Sequence, residues 1–232
     1  MIKTFVNLFK QKDIRKKIFF TLAMLFVFRL GAGIPVPLVD TEALLAGVAD
    51  NSVLGIMNLL GGGALQRFSV FAMGVGPYIT ASIIIQLLAM DVVPSLTEMA
   101  KSGQQGKKQM DKITRYVAVF LAMFQAFTLT YAFDVNYGLL QDPTVANFVY
   151  VSVVLTAGTM FLLWIGDRIS AFGIGNGISI IIFAGIVSRI PFDFSTMFKT
   201  MVDTSSNAAL FSGVINFFIY ALMYLAIIVL VI

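Results

Sequence analysis

Six stretches of this chain run free of Asp, Glu, Lys and Arg, and they leave it few ways to fold. They are residues 18–39 (broken once, by Arg29), 68–90, 116–133, 143–166, 169–188 and 204–232. A bilayer core takes about 20 apolar residues per helix, so each stretch is long enough for one span. The expected spans lie near 18–37, 68–90, 114–133, 147–166, 174–190 and 212–232. The rest of the composition agrees. Only 12% of the residues are charged and 59% are hydrophobic, with a mean hydropathy of +0.91. A soluble domain carries about 25% charged residues, and half that charge cannot cover a water-facing surface. Intrinsic disorder, which needs low hydrophobicity, is excluded as well.

The chain contains no Cys and no His. Disulfides, thiolate or imidazole metal sites, and nucleophile–His catalysis are therefore excluded. No catalytic residue, cofactor site or metal site is expected. The glycines of Gly173-Ile174-Gly175-Asn176-Gly177 do not have the G-x-G-x-x-G spacing of a dinucleotide loop. They read as a tight turn feeding a helix, with Asn176 as its cap. Spans two to six hold no acid or base near their centres, where an ion-coupled transporter usually keeps one. Asp91, Asp134, Asp167 and Arg189 fall at span ends, and Arg29 lies where it can snorkel. The polar residues inside spans are mild: Thr80, Ser82, Gln86, Gln125 and Thr156. Such side chains usually serve interhelical packing.

Lys and Arg set the orientation. With the N-terminus inside, twelve of the sixteen basic residues lie on the cytosolic side. Six precede span one, and Lys101, Lys107, Lys108, Lys112, Arg115 and Arg168 follow. Arg29, Arg67, Arg189 and Lys199 lie outside. This bias predicts a cytosolic N-terminus. Residues 1–17 combine a Lys/Arg cluster with Ile2, Phe5, Val6, Leu8 and Phe9 largely on one helical face, the pattern of an amphipathic helix on an anionic leaflet. No small-residue cleavage site follows, so the first apolar run is expected to be an uncleaved span. The last run reaches Leu230-Val231-Ile232 without a flanking charge, which predicts the N-terminal part of a longer protein.

Two features stay open on residues alone. Segment 53–66, VLGIMNLLGGGALQ, is apolar but too short to span. It suits either a re-entrant segment covered by protein or an interfacial loop. The pairs Ile79/Ile83 and Ile182/Ile186 share an i, i+4 spacing that puts each pair on one helical face. Packing or lipid contact would explain them equally well.

The strings FRLGAGIPVP (28–37), GGGAL (61–65), PYITASIIIQLL (77–88), TRY (114–116), GTMFLLWIGD (158–167) and GIGNGISIIIFAGI (173–186) settle on one family. In order and spacing the chain resembles the SecY family, the channel-forming subunits of the bacterial protein-conducting translocon. The resemblance covers essentially the whole chain; one departure is Gly76 before Pro77, where the family commonly has Met. It implies an all-α polytopic membrane bundle, the first half of a ten-span channel built from two inverted five-span halves. Residues 1–17 would be the cytosolic amphipathic segment, 18–190 the five-span half, and 191–232 an external loop with the start of span six.

The resemblance also implies residue roles. Ile79, Ile83, Ile182 and Ile186 match positions of the family's pore ring. Segment 53–66 matches the plug, with Leu54, Ile56, Met57, Leu59, Leu60, Gly61, Gly62 and Gly63 as its residues and a helix expected over 55–66. Spans two and three match one side of the lateral gate, with Gln86 and Gln125 as its polar residues. The implied partners are the SecE and SecG subunits, the SecA motor ATPase, the ribosome, signal sequences and nascent polypeptides, and anionic lipids. The basic loop 101–115 would face the motor, ribosomal RNA or lipid, or simply control topology. The implied location is the bacterial plasma membrane. The rival reading is an inverted-repeat secondary transporter of small solutes.

Overall fold

The computed structural model describes residues 11–40, 62–201, 211 and 213–223. Among them every regular element is a helix: α1 Lys12–Gly31, α2 Gly76–Leu88, α3 Pro94–Lys101, α4 Gly103–Tyr137, α5 Val145–Phe172, α6 Gly177–Met201 and α7 Gly213–Met223. The chain divides into two compact units, residues 1–186 and 187–232. Three helices, α4, α5 and α6, are long and apolar enough to cross a membrane by themselves.

Six uniform spans were expected, and the first two differ from that picture. α1 starts inside the basic tract at Lys12 and stops at Gly31, not at 37. Its twenty residues rise ~30 Å, one hydrocarbon thickness. Beyond it, Pro35 and Pro37 cannot continue a helix. Residues 32–40 instead run as a strap, bridging Pro35 to Ser69 and Val39 to Leu140.

α2 is only 13 residues long. Residues 68–75, expected as its outer half, form turns. Pro77 starts the helix, and Gly74 takes a left-handed φ of 57° just before it. Non-helical backbone in a membrane must be covered and hydrogen-bonded, and this segment is. Phe68, Ser69, Phe71, Ala72 and Val75 are buried. Val36 N–H donates to the Phe68 carbonyl at 3.0 Å, and Val70 N–H to the Ile34 carbonyl at 3.0 Å.

α4 is 35 residues long, a rise of ~52 Å. It exceeds the bilayer core by more than 20 Å, so its first turns stand outside the apolar zone. The expected basic loop 101–115 is instead almost wholly the first turns of α4, which follow α3 after Ser102, with Lys107, Lys108 and Lys112 exposed. Along the membrane part, Thr114, Ala118, Ala122, Ala126 and Thr130 repeat every fourth residue and are all buried. This small-residue stripe lets α2 and α5 approach closely. Gly138, left-handed at φ 65°, closes the helix and donates its N–H to the Asp134 carbonyl at 2.8 Å. The Asp134 side chain accepts from Leu140 N–H at 2.9 Å, so this span-end acid holds a turn.

α5 is the central post of the first unit, packed against α1 and α4. Leu155, Thr159, Leu162, Ile165 and Ile169 are fully buried along it. Thr144 caps its start by accepting from Asn147 N–H at 3.4 Å. One core cluster gathers Phe68, Phe133, Leu139 and Leu155 at one end. A second gathers Phe28, Phe71, Leu162, Ile169 and Ile181. Gly158 touches the Val70 carbonyl so closely that a Cβ there would overlap it. Gly158→Ala is expected to destabilise the fold by about 1–3 kcal/mol. Thermal unfolding of the purified protein in detergent reads this as a lower midpoint, and an unchanged midpoint would mean that the α5 contact has slack.

The turn into α6 follows the expected reading. Asn176 Oδ1 accepts from the N–H groups of Ile178 and Ser179 at 3.1 and 3.3 Å. Ser170 Oγ accepts from Gly177 N–H at 2.8 Å, and Thr21 Oγ1 accepts from Ile174 N–H at 3.2 Å. The side chains of Ser170 and Thr21 thus tie this turn to α5 and α1. α6 runs on through Pro191 to Met201, so residues 191–201 are helix where an external loop was expected. In the second unit, Phe194 and Phe198 pack edge-on against Phe217 at 6.1 and 5.3 Å. That aromatic contact gives the added turns a reason to stay helical.

Candidate functional site

α2 presents two unlike faces. At 100° per residue, Pro77, Ala81 and Ile85 share one side, and all three are buried. Ile79, Ile83 and Gln86 share the opposite side and are exposed, Ile79 by 38% and Ile83 by 52%. Ser82 lies beside this stripe, and its Oγ accepts from Gln86 Nε2 at 2.9 Å. The α2 face is therefore aliphatic, with its one amide already engaged within the helix.

On α6, Ile182 and Ile186 are half-buried one turn apart, beside the buried Ile181. Ile182 and Tyr78 of α2 border the same core cluster. The two helices thus meet one cluster, yet Ile79 and Ile83 keep open faces. These four side chains do not close a ring among the described residues.

The two glutamines part company. Gln125 lines a cleft of about 480 Å³ between α2 and α4, together with Pro77, Thr80, Phe124 and Thr128. Gln86 is not in that cleft; it sits on the isoleucine face. Thr128 was not singled out from sequence. A threonine on a helix usually back-bonds to its own turn, as Thr128 does to the Phe124 carbonyl at 2.9 Å, and nothing in the sequence says that it also borders a cleft. Of the other polar residues, Thr156 Oγ1 bridges helices by approaching Met123 Sδ at 3.7 Å.

Leu54, Ile56, Met57, Leu59, Leu60 and Gly61 lie outside the described residues. The end of their segment is described and corrects the expected helix over 62–66. Residues 62–66 are turns, with Gly62 at φ 66° and Gly63 at φ 85°, a left-handed pair that breaks a helix. Ala64 and Leu65 are fully buried, one in each core cluster. Arg29 is not simply snorkelling: its Nη1 donates to the Gly62 carbonyl at 2.9 Å. A cation inside a span calls for a partner, and that signal was available in the sequence.

Charge collects at one end of the bundle. Arg115 of α4 and Asp167 of α5 pair at 2.9 Å, both about half exposed, joining the TRY and WIGD strings. Exposed pairs of this kind are worth ~0–1 kcal/mol, so the pair fixes orientation more than stability. Among the described residues no cluster of three His, Cys, Asp or Glu side chains could hold a metal.

Known proteins are similar to this chain in sequence and in fold. The SecY family profile matches residues 69–232. The protein translocase subunit SecY of Bacillus licheniformis is 50% identical over 232 residues, covering 99% of this chain and 53% of the relative. Its counterpart from Bacillus subtilis is 48% identical over 231 residues, with 99% and 53% covered. That from Staphylococcus carnosus is 50% identical over 194 residues, with 82% and 45% covered. The chain thus spans about half the length of the curated relatives it matches. Among solved structures, one titled as the structure of a protein conducting channel aligns with a TM-score of 0.56 at 18% identity, covering 83% of this chain and 39% of that one. Sec61 in the canine ribosome–channel complex from the endoplasmic reticulum aligns with the same score, identity and coverage. At that identity the likeness is one of fold.

Proposed function

The chain belongs to the SecY family of multi-pass membrane proteins, and from that premise we propose that it forms the N-terminal half of a protein-conducting channel. Unfolded secretory polypeptides cross along the faces of α2 and α6. Membrane helices leave for lipid past the α2–α4 cleft. The observation that carries the reading is the exposed Ile79/Ile83 stripe on a helix whose opposite face, Pro77, Ala81 and Ile85, is buried, in spans that lack a central acid or base. Branched aliphatics dewet an empty pore and deform around a passing chain without binding it, whereas fixed charge would select ions or hold cargo. A secondary transporter of small solutes needs the midplane ionisable group that these spans lack.

Work comes from outside, from a motor ATPase such as SecA or from the ribosome, and the chain itself is not an enzyme. SecE and SecG complete the assembly. The N-terminus is cytosolic, with the basic 1–17 segment on anionic lipid. Gln125, with Thr80 and Thr128, forms the polar lining on this side of the lateral gate. Photo-crosslinkers tested one at a time along α2 check the pore face. A stalled secretory precursor is expected to label positions 79 and 83 and to miss position 81 on the packed side. Equal labelling of all three would show that α2 does not line the path.

Segment 53–66 is the plug, with Arg29 holding the Gly62 carbonyl near its C-terminal end. Deleting 53–61 is expected to loosen the closed state while transport continues. Extending the deletion through Ala64 and Leu65 should lower expression sharply, because two fully buried side chains are lost from the core. Ion leak and accumulation of the two deletions, measured side by side, check this; equal accumulation would place the end of the plug outside the core.

A further inference from the structure

The turn between α5 and α6 asks for two particular residues in a row. Gly177 is buried, and a Cβ built on it would overlap the Gly166 carbonyl of α5, so that position has to be glycine. Position 176 caps α6, and Asn176 Oδ1 accepts there from the N–H groups of Ile178 and Ser179. Helix packing and helix capping together thus place asparagine directly before glycine. That pair is chemically labile, because glycine has no side chain to obstruct the approach of its own backbone nitrogen to the asparagine amide carbon. Asn176 is the sole asparagine of the chain that glycine follows.

The reaction needs only water. The Gly177 nitrogen gives up its proton to hydroxide and bonds to Asn176 Cγ. The Cγ–Nδ2 bond breaks, and Nδ2 leaves as ammonia with a proton taken from water. Water then opens the cyclic imide, at Cγ to give aspartate or at the main-chain carbon to give isoaspartate. The electrophile is well placed for this. Asn176 is exposed, and among the described residues nothing holds its Nδ2. Negative charge that develops on Oδ1 meets two N–H groups at the positive end of α6. The nucleophile, in contrast, is held. Gly177 N–H donates to Ser170 Oγ at 2.8 Å, and the Ser170 hydroxyl donates to the Gly166 carbonyl at 3.0 Å. The Asn176 carbonyl accepts from Ile180 N–H at 3.0 Å. Ring closure turns the Asn176–Gly177 peptide, so these hydrogen bonds and the seat of Gly177 on Gly166 must give way first.

We propose that Asn176 is a site of spontaneous deamidation, shut in the folded chain by Ser170 and Gly166 and released when the turn between α5 and α6 opens. Aspartate at 176 still caps α6 and suits its positive end, so that product leaves the turn in place. Isoaspartate routes the main chain through Cγ, which lengthens it by one atom and removes the cap. Isoaspartate at 176 is therefore a lasting chemical mark of turn opening.

The purified full chain, folded in detergent or unfolded in guanidinium chloride, is incubated in one mildly alkaline buffer. Mass spectrometry follows the peptide that carries Asn176, and an isoaspartyl methyltransferase counts the isoaspartate. The unfolded chain is expected to deamidate at least about tenfold faster than the folded one, the effect of the two hydrogen bonds that ring closure breaks. Ser170→Ala, which removes the acceptor of Gly177 N–H, should speed the folded chain about fivefold. Ser170 is exposed, so alanine there leaves the core intact, and the wild-type comparison decides the matter if that variant does not fold. Asn136 and Asn147 precede Tyr137 and Phe148 and should react more slowly than Asn176 in the unfolded chain. Equal rates for folded and unfolded wild type would overturn the protection, as would an unchanged rate in folded Ser170→Ala. An Asn176 no faster than Asn136 in the unfolded chain would overturn the site itself. None of these readouts depends on transport, so failure of the channel reading would leave them untouched.

Discussion

Ile83→Asp, in a channel assembled from this chain and its complementary half, is expected to raise resting ion conductance by at least about tenfold. The reason lies in the place of Ile83 on α2. It stands half-exposed on a face that nothing in this unit covers, one turn from Ile79. On the proposed reading, that face meets its counterparts in the closed channel and excludes water. A carboxylate there holds a hydration shell, and a wetted constriction passes ions. A fall of only ~1.4 kcal/mol in the barrier gives the tenfold change. Ile85→Asp on the packed side of α2 should act differently. Ile85 is 4% exposed, and a charge there lacks a partner, so the expected result is poor folding rather than leak. Planar-bilayer recordings of the two variants separate the cases. If Ile83→Asp leaves the resting conductance at the wild-type level, Ile83 is not part of the seal.

A polypeptide of residues 1–232 alone is expected to insert into a membrane and to export nothing. Its helices satisfy their own backbone hydrogen bonds, so insertion needs no partner. Conduction does, because Ile79, Ile83, Ile84 and Leu87 on α2 stay exposed, and the matched relatives are about twice as long. Supplying the complementary half as a second polypeptide should restore signal-dependent export, as in a split protein. Purified 1–232 in vesicles is assayed with a secretory precursor, with and without that second half. Export by 1–232 alone would show that the pore is built differently.

Much of this molecule is legible in local pattern. Charge-free runs mark membrane segments because lipid cannot solvate a fixed charge, and that rule needs no tertiary knowledge. The same holds for the Asn176 cap, which bonds only two and three residues ahead. The two faces of α2 follow from its helical period once its start at Gly76 is known.

Where pattern failed, the deciding contact lay far along the chain. Residues 68–75 are as apolar as any span, yet they fold as turns because Ile34, Val36 and Ala64 take their hydrogen bonds and Gly158 of α5 packs against Val70. Arg29 reads as a snorkelling cation until the Gly62 carbonyl, 33 residues away, is seen to accept from it. Gln86 and Gln125 look alike in sequence. Only the packing of α2 on α4 puts Gln125 in a cleft and leaves Gln86 beside the isoleucines. Hydropathy and periodicity thus determined which segments enter the membrane and which side chains share a helix face. Tertiary structure decided where the helices start, which carbonyl a buried cation finds and which face stays open, because those outcomes depend on contacts between residues that are distant in the chain.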